Sequence, residues 1–255
     1  MNKIINVRNT IIGEGMPKIC VPMVGKSVNE LMNEAELLKS IDFDIIEWRV
    51  DFFESVKKIN EVEGTLRKIR DILPEIPMIF TFRSIDEGGQ IEASKEFYVE
   101  LNEKIIRTGL VDIIDIELFN DEDDIRKLIH TAHMNSVFVI ISNHDLKKTP
   151  SKEEIIYRLC REQKLGGDII KIAVMPNCTR DIINLLDASQ IVKEKYARAP
   201  VVTMSMGGKG VITRLSGEIF GSDITFAAVK KASAPGQIYI EDVRKTIQLL
   251  HNNLN

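Results

Sequence analysis

A lysine sits in the middle of an apolar run, Asp168-Ile169-Ile170-Lys171-Ile172-Ala173-Val174. Strand formation does not ask for a charge there. If the run is a parallel strand it is covered on both faces, so Lys171 is desolvated whichever way it points. A desolvated ammonium costs free energy, and a common relief is loss of the proton, which leaves a nucleophilic amine. Neutral lysine amines attack carbonyls and form Schiff bases. The plainer reading, a lysine whose head reaches a carboxylate or the solvent at a strand end, also fits the residue taken alone.

A histidine follows another apolar run, Ile140-Ile141-Ser142-Asn143-His144-Asp145. His144 can be a general acid–base, a metal ligand or a core hydrogen-bonder. Metal is not expected, because the local HxH and HExxH spacings are absent. His130 and His133 are spaced as neighbours on one helix, which suits an exposed helix face better than a metal site. In Ile46-Glu47-Trp48-Arg49-Val50, alternation places Glu47 and Arg49 on one face, as an anchoring ion pair, as substrate contacts, or as both.

Arg83 ends Phe80-Thr81-Phe82-Arg83-Ser84 and is placed to bind an anion or carboxylate. Glu87 lies on the loop that follows, and Gly88-Gly89 would let that backbone bend close to a ligand. Gly207-Gly208-Lys209-Gly210 looks suited to phosphate but does not match GxxxxGK[ST]. The stretch Lys230-Lys231-Ala232-Ser233-Ala234-Pro235-Gly236-Gln237 reads as a lid loop. Lysine, histidine and a loop glutamate suit carbonyl activation through an iminium, with a base removing the adjacent proton. The arginines would hold an anionic substrate and help the amine lose its proton.

These groups need a scaffold that brings strand ends together. Apolar runs over 19–24, 45–50, 78–82, 113–118, 137–142, 169–174, 201–206 and 223–227 are expected strands. Amphipathic stretches over 27–41, 56–73, 94–108, 121–134, 152–163 and 179–196 lie between them, and 240–252 is a last helix. Asn177 or Thr179 is placed to cap the helix over 179–196, and Ser151 with Glu154 makes a capping-box pattern. Eight strands alternating with helices in 255 residues predict an α/β chain folded as a (β/α)8 TIM barrel. A doubly wound sheet is disfavoured because no GxGxxG follows the first strand. An N-terminal segment, 1–17, holds a hairpin over 4–12 that turns at Arg8-Asn9 and closes the bottom of the barrel. No linker rich in Pro, Gly or Ser divides the chain, so 1–255 is expected to be one domain.

Composition narrows the partners. A net charge of −4 gives no basic field for nucleic acid or an anionic membrane. No run of about 18 apolar residues predicts a membrane span, and the polar start, Met1-Asn2-Lys3, does not suit a signal peptide. Cys20, Cys160 and Cys178 are widely spaced, which argues against a disulfide framework or zinc ribbon and for a reducing, cytoplasmic compartment.

Several segments together resemble type I 3-dehydroquinate dehydratase, the Schiff-base-forming dehydroquinase of the shikimate pathway. They are Asp44-Ile45-Ile46-Glu47-Trp48-Arg49-Val50-Asp51, Phe80-Thr81-Phe82-Arg83-Ser84, Ser142-Asn143-His144-Asp145, Gly221-Ser222 and the tail 229–237, and the likeness runs end to end. The resemblance implies that Lys171 condenses with the C3 ketone of 3-dehydroquinate. It implies that His144 takes the C2 proton and that Glu87 orients the imidazole. Syn loss of the C1 hydroxyl as water, with His144 as proton donor, would give 3-dehydroshikimate. Arg214 matches the residue that grips the substrate carboxylate, and Glu47, Arg49, Arg83, Ser233 and Gln237 match positions that hold the hydroxyls and ring. The resemblance further implies a homodimer, and no cofactor or metal is expected, because an iminium is itself an electron sink. Where some relatives carry a serine in the first strand, this chain has Cys20-Val21-Pro22-Met23, and Pro22 has no side-chain donor. A fused shikimate dehydrogenase is not expected at this length.

Two other readings fit parts of the pattern. A class I aldolase on the same barrel would also use a strand-end lysine, usually with a phosphate site near the last two strands. A non-catalytic binding barrel would be expected to lack one of Glu87, His144 and Lys171, and all are present.

Overall fold

Ile5–Val7 (β1) and Thr10–Ile12 (β2) pair antiparallel around a turn in which Arg8 adopts φ 52°. The computed structural model describes residues 4–229 and 233–254, so residues 1–3 of the expected N-terminal segment lie outside it. Ile5, Val7 and Ile12 are buried in one cluster with Ile45, Ile79, Ile113, Ile140 and Ile169. Each of those isoleucines lies at or near the start of a strand, so the hairpin closes the N-terminal end as expected. Arg8 fastens it there, with Nε 2.8 Å from Asp112 Oδ1 and Nη1 2.6 Å from the Pro74 carbonyl.

The parallel strands are Lys18–Met23 (β3), Ile45–Arg49 (β4), Met78–Thr81 (β5), Ile113–Glu117 (β6), Phe138–Asp145 (β7), Ile169–Val174 (β8), Val201–Ser205 (β9) and Ile224–Ala228 (β10). Helices Val28–Leu38 (α1), Ile59–Ile72 (α2), Lys95–Ile106 (α3), Glu122–Met134 (α4), Lys152–Leu165 (α5) and Thr179–Ile191 (α6) follow the first six in turn. Two short helices, Val211–Leu215 (α7) and Gly217–Phe220 (α8), follow β9. Ile238–Tyr239 (β11) pairs with β10, and Ile240–Asn252 (α9) ends the described chain.

The ladder runs β10-β3-β4-β5-β6-β7-β8-β9, which is the barrel order. Between β9 and β10 the seam is closed at one end by Asp223. Its N–H donates to the Val201 carbonyl at 2.7 Å, and its carboxylate accepts the Val201 N–H at 2.7 Å. The fold is therefore the predicted (β/α)8 barrel with a hairpin at its base.

Period-two alternation sorts the strand side chains into two environments. Ile46, Trp48, Phe80, Ile114, Ile116 and Ile141 pack outward beneath the helices. The alternate set changes character along the barrel axis. Isoleucines fill the bottom, Glu47, Thr81, Asp115, Ser142 and Lys171 come next, and Arg49, Arg83, Glu117 and His144 approach the mouth. All of these are buried except His144, which is partly exposed.

Some boundaries differ from expectation. Strand β7 continues through Asp145, so His144 lies inside a strand rather than after it. Helix α5 is capped as predicted, with Ser151 Oγ accepting the Glu154 N–H at 3.2 Å. Helix α6 is not capped by Asn177 or Thr179. Cys178 is its N-cap, and Asp181 reaches back to accept the N–H groups of Asn177 and Cys178. The helix also ends at Ile191 and continues as a π-turn over Val192–Tyr196. Arg214 lies on helix α7, for which no expectation was made.

Candidate active site

A cavity of about 90 Å³ opens at the C-terminal ends of the strands. All the site residues expected from sequence line it: Glu47, Arg49, Arg83, Glu87, His144, Lys171, Arg214, Ser233 and Gln237. Met204, Met206 and Phe226 add an apolar wall that no sequence signal had marked.

Lys171, carried by β8, is 3% exposed. Its Nζ lies 3.1 Å from Asp115 Oδ2, 3.7 Å from Glu47 Oε1 and 4.7 Å from the centre of the Phe226 ring. The expectation that arginines crowd this amine is corrected: carboxylates hold it. Burial alone would raise the Asp115 carboxyl, but Arg83 and Lys171 overcome this and lower it from 3.8 to about 2. Asp115 is therefore a fixed anion, suited to stabilise a cation on the Lys171 nitrogen, whether ammonium or iminium.

Arg83 is likewise taken. Its guanidinium lies 2.9 Å from Asp115, 2.9 Å from Glu117 and 3.7 Å from Glu87. Burial would lower Arg83, but these carboxylates together raise it well above its ordinary value. The expected Glu47–Arg49 pair is also redrawn. Arg49 forms a two-pronged bridge to Asp51 at 2.8 Å on each prong, while Glu47 accepts Thr81 Oγ1 at 2.9 Å. Both residues still face the cavity, as alternation required.

His144 Nδ1 is 2.7 Å from Glu87 Oε2. Burial, and then the charges of Arg83, Lys171 and Arg49, push the imidazole well below its ordinary value, so it is held neutral. With Nδ1–H donating to an ionised Glu87, the Nε2 lone pair becomes the base. Burial and the nearby Glu117 charge push Glu87 up, against the pull of Arg83.

Glycines after Arg83 shape the Glu87 loop. Gly88 adopts φ 93°, and a Cβ on Gly89 would lie 1.9 Å from the Arg83 carbonyl oxygen. Their role is to fold the loop onto Arg83, where the Gly89 N–H donates to the Ser84 carbonyl at 2.7 Å, and so to present Glu87. Gly88 itself lines the cavity.

Arg214 is 2% exposed, and burial lowers it from 12.5 to about 10. Among the described residues no carboxylate pairs with it. Its Nη2 reaches the Pro235 carbonyl at 3.3 Å, and Nε has no partner. Pro235 belongs to the expected lid, of which Lys230, Lys231 and Ala232 lie outside the described residues. The remainder docks on the loop after β9. The Gly207 N–H donates to the Pro235 carbonyl at 3.1 Å, and Gly236, at φ 79°, packs so closely on Gly207 that a Cβ would meet its oxygen at 2.3 Å. Ser233 and Gln237 bond each other, Ser233 N–H to Gln237 Oε1 at 2.8 Å and Gln237 Nε2 to Ser233 Oγ at 3.0 Å.

Asp115 and Glu117 were not anticipated. The signal was present, because Ile113-Ile114-Asp115-Ile116-Glu117 repeats the alternation that drew attention to Glu47 and Arg49. His133, expected on a helix surface, has Nε2 2.8 Å from Asp168 Oδ2. Among the described residues no group of three or more His, Cys, Asp or Glu side chains is arranged to hold a metal.

Residues 19–254 match the family model described as type I 3-dehydroquinase. A 3-dehydroquinate dehydratase of Listeria monocytogenes serotype 4a is 59% identical over 251 residues, covering 98% of this chain and 99% of the relative. Among solved structures, the type I 3-dehydroquinate dehydratase of Clostridium difficile, crystallised with covalently modified comenic acid, superposes with a TM-score of 0.97 at 51% identity over 99% of both chains. The 3-dehydroquinate dehydratase of Geobacillus kaustophilus gives a TM-score of 0.96 at 39% identity over 100% of both chains.

Proposed function

The chain belongs to the type I 3-dehydroquinase family, and from that premise we propose that Lys171, His144 and Glu87 dehydrate 3-dehydroquinate to 3-dehydroshikimate through a covalent imine. The Lys171 amine adds to the C3 ketone, and loss of water leaves an iminium. His144 Nε2 removes a C2 proton, and that C–H pair enters the iminium as an enamine. The pair then returns to expel the C1 hydroxyl, which leaves as water with the proton from His144. Water adds to the conjugated imine and releases 3-dehydroshikimate and the amine. His144 serves again as acid and base in forming and hydrolysing the imine.

One observation carries this reading: a buried lysine amine and a neutral, carboxylate-oriented imidazole line the same cavity. Asp115 supports it physically, because the positive charge on nitrogen stays at one place from ammonium to iminium. Arg214 is assigned to the substrate carboxylate. Glu47, Arg49, Ser233 and Gln237 are assigned to the hydroxyls and ring. Arg83, which also lines the cavity, is assigned with them to the hydroxyls and ring, and its ion pairs hold Glu87 in place.

The class I aldolase reading gives way to the family. The chain is further proposed to act as one domain and as a cytoplasmic homodimer; among the described residues no helix is long and apolar enough to cross a membrane. Light scattering should show a species of twice the chain mass. Borohydride trapping tests the chemistry. With 3-dehydroquinate present, reduction should add the ligand's mass at Lys171, and Lys171→Ala should show no adduct. An adduct on the alanine variant would sink the assignment.

A further inference from the structure

Behind the catalytic strands, on the helix side, lies a carboxylate that the imine chemistry does not use. Glu162 of α5 is 0% exposed. Its Oε2 accepts the backbone N–H of Lys171 at 2.8 Å, and its Oε1 accepts Asn143 Nδ2 at 2.6 Å. Asn143 precedes His144 on β7 and points to the opposite face. Asn143 Oδ1 in turn accepts Arg158 Nη1 at 3.3 Å. One buried side chain thus grips the backbone of the proposed nucleophile and the neighbour of the proposed base.

The chain of bonds has a fixed polarity. Its two ends, a guanidinium and a backbone N–H, can only donate. Asn143 must then turn its oxygen to Arg158 and its amide to Glu162, which leaves Glu162 facing donors on both oxygens. A carboxylate, with lone pairs on both oxygens, accepts at both. Burial holds the Glu162 carboxyl well above its ordinary value, and the Asn143 and Lys171 donors only partly offset this. We propose that Glu162 is a positioning residue, which fixes Lys171 on β8 relative to His144 on β7 by accepting from both strands at once. The inference rests on the imine-forming reading of Lys171.

Three variants test it. Glu162→Gln keeps the volume but turns an N–H₂ toward a donor. Asn143→Asp sets two carboxylates against each other. Combining Glu162→Gln with Asn143→Asp restores the polarity. The carboxylate introduced on β7 accepts from Arg158 and from the amide introduced on α5, and the oxygen of that amide accepts the Lys171 N–H. The rates to follow are kcat, KM, and borohydride-trapped imine formation in single turnover, alongside Tm. Each single variant should lose ~10-fold or more in kcat and in imine formation with KM changed by less than ~3-fold, because a donor–donor or acceptor–acceptor mismatch in a dry site displaces both strands. The double variant should recover to within ~3-fold of the parent. A folded Glu162→Gln protein with parental kcat and trapping rate overturns the proposal, as does a double variant no better than Asn143→Asp. If Glu162→Gln does not fold, the comparison of Asn143→Asp with the double variant decides alone. Absence of any adduct in the parent protein would instead refute the imine reading, so the two failures are distinct.

Discussion

Arg214→Ala offers a direct measure of how the site holds an anion. Arg214 is 2% exposed, and no carboxylate among the described residues neutralises it. At about 1.4 kcal/mol per pH unit, the fall from 12.5 to about 10 corresponds to about 3 kcal/mol of desolvation that the protein itself does not return. A bound substrate carboxylate would return it through charge-assisted hydrogen bonds. Removing the guanidinium should therefore weaken binding by about 3 kcal/mol, or roughly 10²-fold, seen as a raised KM with a smaller change in kcat. Turnover is followed by the near-ultraviolet absorbance of the conjugated enone product. Arg214→Lys should recover only part of the loss, since an ammonium restores charge but not the planar fork. Because the side chain is an unpaired buried cation, its removal should not lower Tm. An unchanged KM would refute the role, as would an equal loss for the carboxamide analogue of the substrate, which carries no charge.

Two further outcomes follow from the charges around the amine. In Glu87→Gln, an anion beside His144 is lost while Arg83, Lys171 and Arg49 remain, which disfavours the imidazolium still more. The acid limb of kcat/KM should move to lower pH, and a shift to higher pH would contradict the proposed pair. Asp115 has a folded value of about 2, below its unfolded 3.8, so its contribution of about 2 kcal/mol is present above pH 4 and lost as pH falls toward 2. Asp115→Asn should thus be less stable by about 2 kcal/mol near pH 7 in urea unfolding, with the gap closing as the medium is acidified below about pH 4; a gap independent of pH would refute the ion-pair account.

Much of this protein is legible one residue at a time. Apolar runs separated by amphipathic stretches force parallel strands with helical crossovers, because each strand must be covered on both faces. The same logic exposes Lys171, Glu47 and Arg49 as charges that a strand would not choose. Motif likeness then gathers His144, Glu87, Arg214, Ser233 and Gln237, and the fold does bring them to one cavity. The errors concern partnership. Sequence suggested arginines around Lys171, yet Arg83 is bound by Asp115, Glu117 and Glu87, and Asp115 together with Glu47 meets the amine.

Local periodicity determines which face of a strand a side chain occupies, since the backbone alternates every residue. It cannot determine which residue on the next strand stands opposite, because that depends on the shear of the closed barrel. The pairing of Ser142 with Lys171 across β7 and β8, and the reach of Asp115 from a strand further away, exist only once the barrel closes. Sequence therefore determined that a lysine amine would be buried in a strand, and tertiary structure decided which way it faces and which charges it meets.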